Sequence, residues 1–170
     1  MPPVSLRERL LIALRHRQPD VCPWHINLTR DARDRTAAYL GDPNFVDKIG
    51  NHLAVYEDGW FREVRPGYWQ DQFGVVWNRT IDRDIGNVHE ILLPEPNLSS
   101  YSFPEPDLAR NAVGLEHLVC ENGDRFTVAA VGFSLFERAW TLRGMENLLM
   151  DMVLHPAFVD GLLDRILTYN

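Results

Sequence analysis

The apolar run from Phe126 to Phe133 constrains the fold more than any other stretch of the chain. Arg125-Phe-Thr-Val-Ala-Ala-Val-Gly132 is short and continuously apolar, without the alternation of a strand that has one wet face, so it predicts a buried strand of a parallel sheet. It breaks at once into Ser134-Leu-Phe-Glu-Arg-Ala-Trp-Thr-Leu-Arg143 and then into helical sequence. In parallel α/β sheets, ligands meet the residues just beyond the carboxyl ends of the strands. The segment after Gly132 is therefore where a functional loop is expected.

The rest of the chain alternates in the same sense. Ser5 and Glu8 form a Ser-x-x-Glu capping box ahead of a helix with Leu6, Leu10, Leu11 and Leu14 on one face. Val21 to His25 is short and apolar and predicts a first buried strand. Thr29 then opens a helix that closes at Leu40-Gly41, and Asp42, Pro43 and Gly50 bound a second, short one. From His52 to about Leu93 the texture is β-rich. Strands are expected at Leu53 to Tyr56, Phe61 to Arg65, Gly74 to Thr80 and Val88 to Leu93, divided by Asp-Gly, Pro-Gly and Ile-Gly-Asn turn signals. Prolines 94, 96, 104 and 106 impose an extended connection. A helix with Leu108, Ala112, Leu115 and Val119 on one stripe leads to Asn122-Gly123 and the apolar strand. The pattern predicts an α/β fold with about three parallel strands, near 21–25, 53–56 and 126–132, and a β-hairpin insertion at about 57–93. The last helix, Pro156 to Asn170, carries Phe158, Leu162, Leu163, Ile166 and Leu167 as a stripe expected to lie exposed unless a partner covers it.

Charge argues against one class of partner. A net charge of -7 gives no basic face to offset nucleic-acid phosphates, and Arg7, Arg9, Arg15, His16 and Arg17 read as the solvated side of the first helix. With 45% hydrophobic residues in 170, a globular core is feasible. The longest apolar stretch near the amino terminus, Leu10 to Leu14, is far short of the ~18 residues of a membrane span, and no signal peptide is visible, so the expected location is the cytoplasm. Cys22 and Cys120 stand apart from any Cys-x-x-Cys or His-x-Cys pattern, so no disulfide framework and no metal-ligating residues are expected within this chain.

Three stretches, in order, resemble the uroporphyrinogen decarboxylase superfamily. They are Arg7-Glu-Arg-Leu-Leu-Ile-Ala-Leu-Arg-His16 leading to Pro19-Asp20-Val21-Cys-Pro-Trp24, then Asp71-Gln-Phe-Gly-Val-Val-Trp77, then Phe136-Glu-Arg-Ala-Trp-Thr-Leu-Arg-Gly-Met-Glu-Asn-Leu-Leu-Met-Asp151. The likeness is to its branch of decarboxylase-like proteins and corrinoid-dependent methyltransferases. The resemblance implies a (β/α)8 TIM barrel, typically about 250 residues, of which this chain would be the amino-terminal half. It implies decarboxylation of a porphyrinogen or corrinoid-dependent methyl transfer, with a tetrapyrrole or a methyl donor as small-molecule substrate. For the methyltransferase branch it adds zinc, held in the carboxyl half of the barrel, and a corrinoid protein as partner. Where the porphyrinogen decarboxylases carry an arginine-rich loop for substrate carboxylates, this chain has Trp24-His-Ile-Asn-Leu-Thr-Arg30, with only Arg30 nearby and out of register.

The candidate site residues divide by role. Asp58, after the strand at 53–56, lies where the resemblance places the aspartate that stabilises positive charge on a pyrrole during proton transfer; an Asp58-Gly59 turn is the competing reading. His25, closing the first strand, is a candidate proton donor or substrate contact, or else a hydrogen-bonded structural histidine. Arg138, Arg143, Trp140 and Glu137 are the candidate substrate-binding residues of the loop-helix segment, the arginines suited to a carboxylate or phosphate. Glu137, three residues after Ser134, also fits a capping box, and Arg143 a helix terminus. Trp60, Trp69 and Trp77 read as packing anchors that can also line a pocket for a flat ligand, and Asp71 as a turn former. An alternative from a different class is a non-catalytic half-barrel binding module that buries its open sheet edge as a homodimer.

Overall fold

The computed structural model describes residues 4–170. Its elements run α1 (Leu6–Leu14), α2 (Arg30–Leu40), α3 (Phe45–Lys48), β1 (Leu53–Asp58), β2 (Phe61–Arg65), β3 (Tyr68–Asp71), β4 (Val76–Asn78), β5 (Asn87–Val88), a 3-10 turn (Leu98–Ser100), α4 (Leu108–Glu121), β6 (Phe126–Val131), α5 (Leu135–Arg143), α6 (Met145–Leu154) and α7 (Pro156–Tyr169). The fold is mixed α/β, with β1 and β6 in a parallel pair and β2-β3-β4-β5 in an antiparallel sheet; the strands form no closed barrel. The chain divides into two compact units, residues 1–57 with 108–130 and residues 58–107 with 131–170.

In the first unit, local capping follows the sequence. Ser5 accepts the Glu8 N–H at 3.1 Å, Thr29 accepts the Ala32 N–H at 3.3 Å, and Gly41 closes α2 at φ 63°, a left-handed conformation glycine adopts without strain. The predicted strand at 21–25 does not form. Its segment lies beside the start of β1, and among the described residues only His52 N–H to Trp24 C=O, 2.9 Å, is a backbone bond between them. Side chains supply the remaining pairing. Asn51 accepts the Ile26 N–H at 2.8 Å and donates to the Ile26 carbonyl at 3.1 Å, and His52 Nδ1 accepts the Trp24 N–H at 3.3 Å. Amide and imidazole groups stand where a neighbouring backbone would be, so the ladder is satisfied without a strand.

The stripe expected on α4 is not the face it packs. Leu108 is 71% exposed and Val119 55% exposed. The inward face is instead Asn111, Gly114, Leu115 and Leu118, three to four residues apart. Tyr56 of β1 donates its hydroxyl to Asn111 at 2.9 Å, and its ring lies so close to Gly114 that a Cβ there would meet Tyr56 Cε2 at 2.2 Å.

The second unit holds the larger core: Phe73, Val75, Trp77, Leu93, Ala139, Leu142, Leu148, Val159, Leu162 and Ile166. Pro66 and Gly67 form the two-residue turn between β2 and β3, with Arg65 paired to Tyr68. The sequence reading found the turn but not β3, and it extended β4 and β5 beyond their observed lengths. The apolar stripe of α7 is mostly covered by this core. Leu162 and Ile166 are fully buried and Phe158 and Leu163 half-buried, leaving Leu167, at 61%, as the outward member, so the expected exposed stripe is corrected.

Candidate functional site

Asp71 organises the second unit. Its Oδ1 accepts the N–H groups of Phe73 (2.9 Å) and Val75 (3.0 Å), which folds the turn before β4. Its Oδ2 accepts Trp77 Nε1–H at 3.1 Å and Arg138 Nη1–H at 2.6 Å. Arg138 and Asp71 are 2% and 0% exposed, and the guanidinium lies 4.1 Å from the Phe73 ring centroid and 5.1 Å from that of Phe133. Arg143 is also interior. Its Nε donates to Asp151 at 2.6 Å, and its Nη1 donates to the carbonyls of Leu93 and Pro94 at 2.9 and 2.5 Å.

Both arginines named as candidate ligand-binding residues have internal partners, Asp71 for Arg138 and Asp151 with two backbone carbonyls for Arg143. The physical reason is burial. A guanidinium removed from water requires a carboxylate or carbonyl partner, and β3 and α6 provide them. Trp140 is half-buried against the same core, its ring centroid 6.5 Å from that of Trp77. Glu137 is exposed, and Ser134 makes no side-chain cap, so the expected capping box is absent; Ser134 Oγ instead receives Asn170 Nδ2–H at 3.5 Å.

Asp58, the last residue of β1, is half-buried, and its carboxylate makes no hydrogen bond or ion pair among the described residues. Gly59 follows at φ 141°, with the Gln72 amide 3.3 Å from where its Cβ would be, and Gln72 Oε1 accepts the Trp60 N–H at 3.4 Å. Tyr169 stacks edge-on against Phe73 at 4.6 Å. Burial holds its phenol above the ordinary range, reinforced by the negative charge of Asp58 and opposed by Arg138 and Gln72. Asp58, Gln72 and Tyr169 therefore form a polar group around the carboxyl end of β1. Sequence reading reached Asp58 and missed Tyr169 and Gln72, which nothing in their local pattern marks. Tyr101 is partly buried, donates to the Phe73 carbonyl at 2.6 Å, and has its phenol pushed far up, mainly by desolvation, with Asp71 adding to the rise and Arg138 opposing it.

His25 belongs to the first unit, and the other candidates belong to the second. It is exposed and lines a cleft of about 550 Å3 with Asn27, Asn51, Glu57 and Arg125. Among the described residues no three His, Cys, Asp or Glu side chains converge to hold a metal, and Cys22 and Cys120 are both exposed and free. These residues do not fit a zinc site. No described helix is long and apolar enough to cross a membrane.

Comparison with family models, curated proteins and solved structures finds no match to the chain.

Proposed function

We propose that this chain supplies the first strands of a uroporphyrinogen decarboxylase-like (β/α)8 barrel enzyme, whose chemistry is decarboxylation of a porphyrinogen or corrinoid-dependent methyl transfer. Both chemistries bring a tetrapyrrole macrocycle to the carboxyl ends of parallel strands. The observation that carries the reading is the parallel pairing of β1 with β6, with an uncommitted carboxylate, Asp58, on the last residue of β1. A carboxylate there can accept a pyrrole N–H and stabilise positive charge on the ring during proton transfer. Gln72 and Tyr169 add a neutral amide and a phenol held in its protonated form, both able to orient a polar ring substituent. No step of this reading runs through zinc.

Tryptophan fluorescence tests it. Titration with a carboxylated porphyrin, and separately with a cobalamin, should quench Trp60 at saturating ligand for at least one of the two. Asp58→Asn should weaken that binding by about ten- to a hundred-fold, the loss of one charge-assisted hydrogen bond. Absence of saturable quenching by either macrocycle would count against the reading.

The free edge of β6, which among the described residues pairs only with β1, favours a second reading: a non-catalytic module that covers this edge by self-association. Sedimentation equilibrium showing a dimer that binds neither macrocycle would support it.

A further inference from the structure

Helix α6 is apolar on more sides than it buries. Seven of its ten residues are apolar, yet its buried residues are Leu148 and Asp151 alone, where it packs on α5 and α7 and Asp151 accepts Arg143 Nε–H at 2.6 Å. Met145, Leu149, Met150, Met152, Val153 and Leu154 are left between 41% and 80% exposed. A helix with apolar residues around most of its circumference is ordinarily covered on more than one side. We propose that this face is the interface through which two copies of the chain associate, their α6 helices packing antiparallel about a two-fold axis near Leu149 and Met150.

The area suits a second copy of the chain. The six side chains offer on the order of 500–600 Å2 of apolar surface, the upper end of what a monomer shows as one patch. Two such faces bury about 1,000–1,200 Å2 together, the lower end of a specific interface, so a weak and concentration-dependent dimer is expected. Leu149, Met150 and Val153 stand at the centre of the face, on the side of the helix opposite Leu148 and Asp151. Three of the six side chains are methionines, unbranched and able to adapt to an irregular partner surface.

The ends of the face are complementary to each other. Glu146, in the first turn, shares the outward side with Leu149, Met150 and Val153, and His155 caps the far end; both are exposed, and neither side chain has a partner among the described residues. A half turn about the middle of this helix, which is about 15 Å long, sets Glu146 of each copy beside His155 of the other. An imidazole has an N–H to donate to a carboxylate in either tautomer, and symmetry makes the contact twice. Antiparallel packing also lays the opposite dipole ends of the two helices side by side, whereas parallel packing would set Glu146 against Glu146. The surface is separate from the edge of β6, and its role is independent of the tetrapyrrole reading.

The test is sedimentation equilibrium of the whole chain over a micromolar concentration range. The expected result is a reversible monomer–dimer equilibrium, weakened at least tenfold by Val153→Glu. That variant should keep the circular dichroism and the dilute-solution melting temperature of wild type, because Val153 is 80% exposed. His155→Glu should also weaken the dimer, by setting carboxylates opposite each other at both ends, and the double variant Glu146→Arg, His155→Glu should restore at least wild-type affinity. A chain that stays monomeric throughout, or a dimer whose dissociation constant is unchanged in Val153→Glu, would overturn the interface, the second result leaving the β6 edge as the surface of association. Failure of the double variant to recover the loss in His155→Glu would overturn the antiparallel pairing.

Discussion

Asp71 and Arg138, 67 residues apart in the chain, meet at 2.6 Å in an interior that leaves neither more than 2% exposed. Removing one partner of a buried pair strands the other, at about 3–5 kcal/mol. Arg138→Met should therefore lower the unfolding free energy by that order. The double variant Asp71→Asn, Arg138→Met should recover part of the loss, since the stranded carboxylate is gone. Urea denaturation of wild type, Arg138→Met, Asp71→Asn and the double variant measures this, and an Arg138→Met protein as stable as wild type would refute the structural role.

Gly114 faces Tyr56 with no room for a methyl group. In most helices Gly→Ala is stabilising by roughly 0.5–1 kcal/mol; here overpacking should reverse the sign, to a loss of about 1–3 kcal/mol. Thermal unfolding of Gly114→Ala decides between them, and a raised melting temperature would show that α4 does not pack on Tyr56 as described.

Asn51 stands in for a neighbouring strand at Ile26. Asn51→Ala should leave both backbone groups of Ile26 to water or unpaired, raising the hydrogen-exchange rate of the Ile26 amide selectively while α2 amides keep their protection. Equal acceleration throughout the first unit would point to general loosening rather than to this bond.

Some of this architecture was legible and some was not, for one physical reason. Helix starts at Ser5 and Thr29 were readable because a cap is a contact between residues three apart. The turn at Pro66-Gly67 was readable for the same reason. The absence of a strand at 21–25 was not, because its pairing is completed by the side chains of Asn51 and His52, about 25 residues on. The internal partners of Arg138 and Arg143 were not legible, because Asp71 and the Leu93–Pro94 carbonyls lie far from them in the chain and only the fold brings them near. A strand ending near Asp58 was legible, though it runs to Asp58 itself; that Gln72 and Tyr169 lie beside Asp58 was not, since only the fold brings them near.

Tyr101 and Tyr169 both have phenol pKa values above the ordinary ~10, chiefly through burial. A raised folded-state value means the native protein keeps its proton after the unfolded chain has lost it. The resulting stability is fully present below about pH 10 and declines as pH rises from there through the folded value. Absorbance at ~295 nm should show a late-ionising class of tyrosines, and Tyr101→Phe should remove part of it. Ionisation of all tyrosines in one step near the ordinary value in the folded protein would contradict this burial.

A macrocycle bound as proposed would meet this chain at the carboxyl end of its parallel strands. Amide chemical-shift mapping during porphyrin or cobalamin titration tests it most directly. The largest changes are expected on Asp58, Gly59 and Trp60 and on Gly132 to Ser134, at and just beyond the ends of β1 and β6. Changes concentrated instead on Asn51, His52 and Arg125, at the opposite ends of the same strands, or no changes at saturating macrocycle, would contradict it.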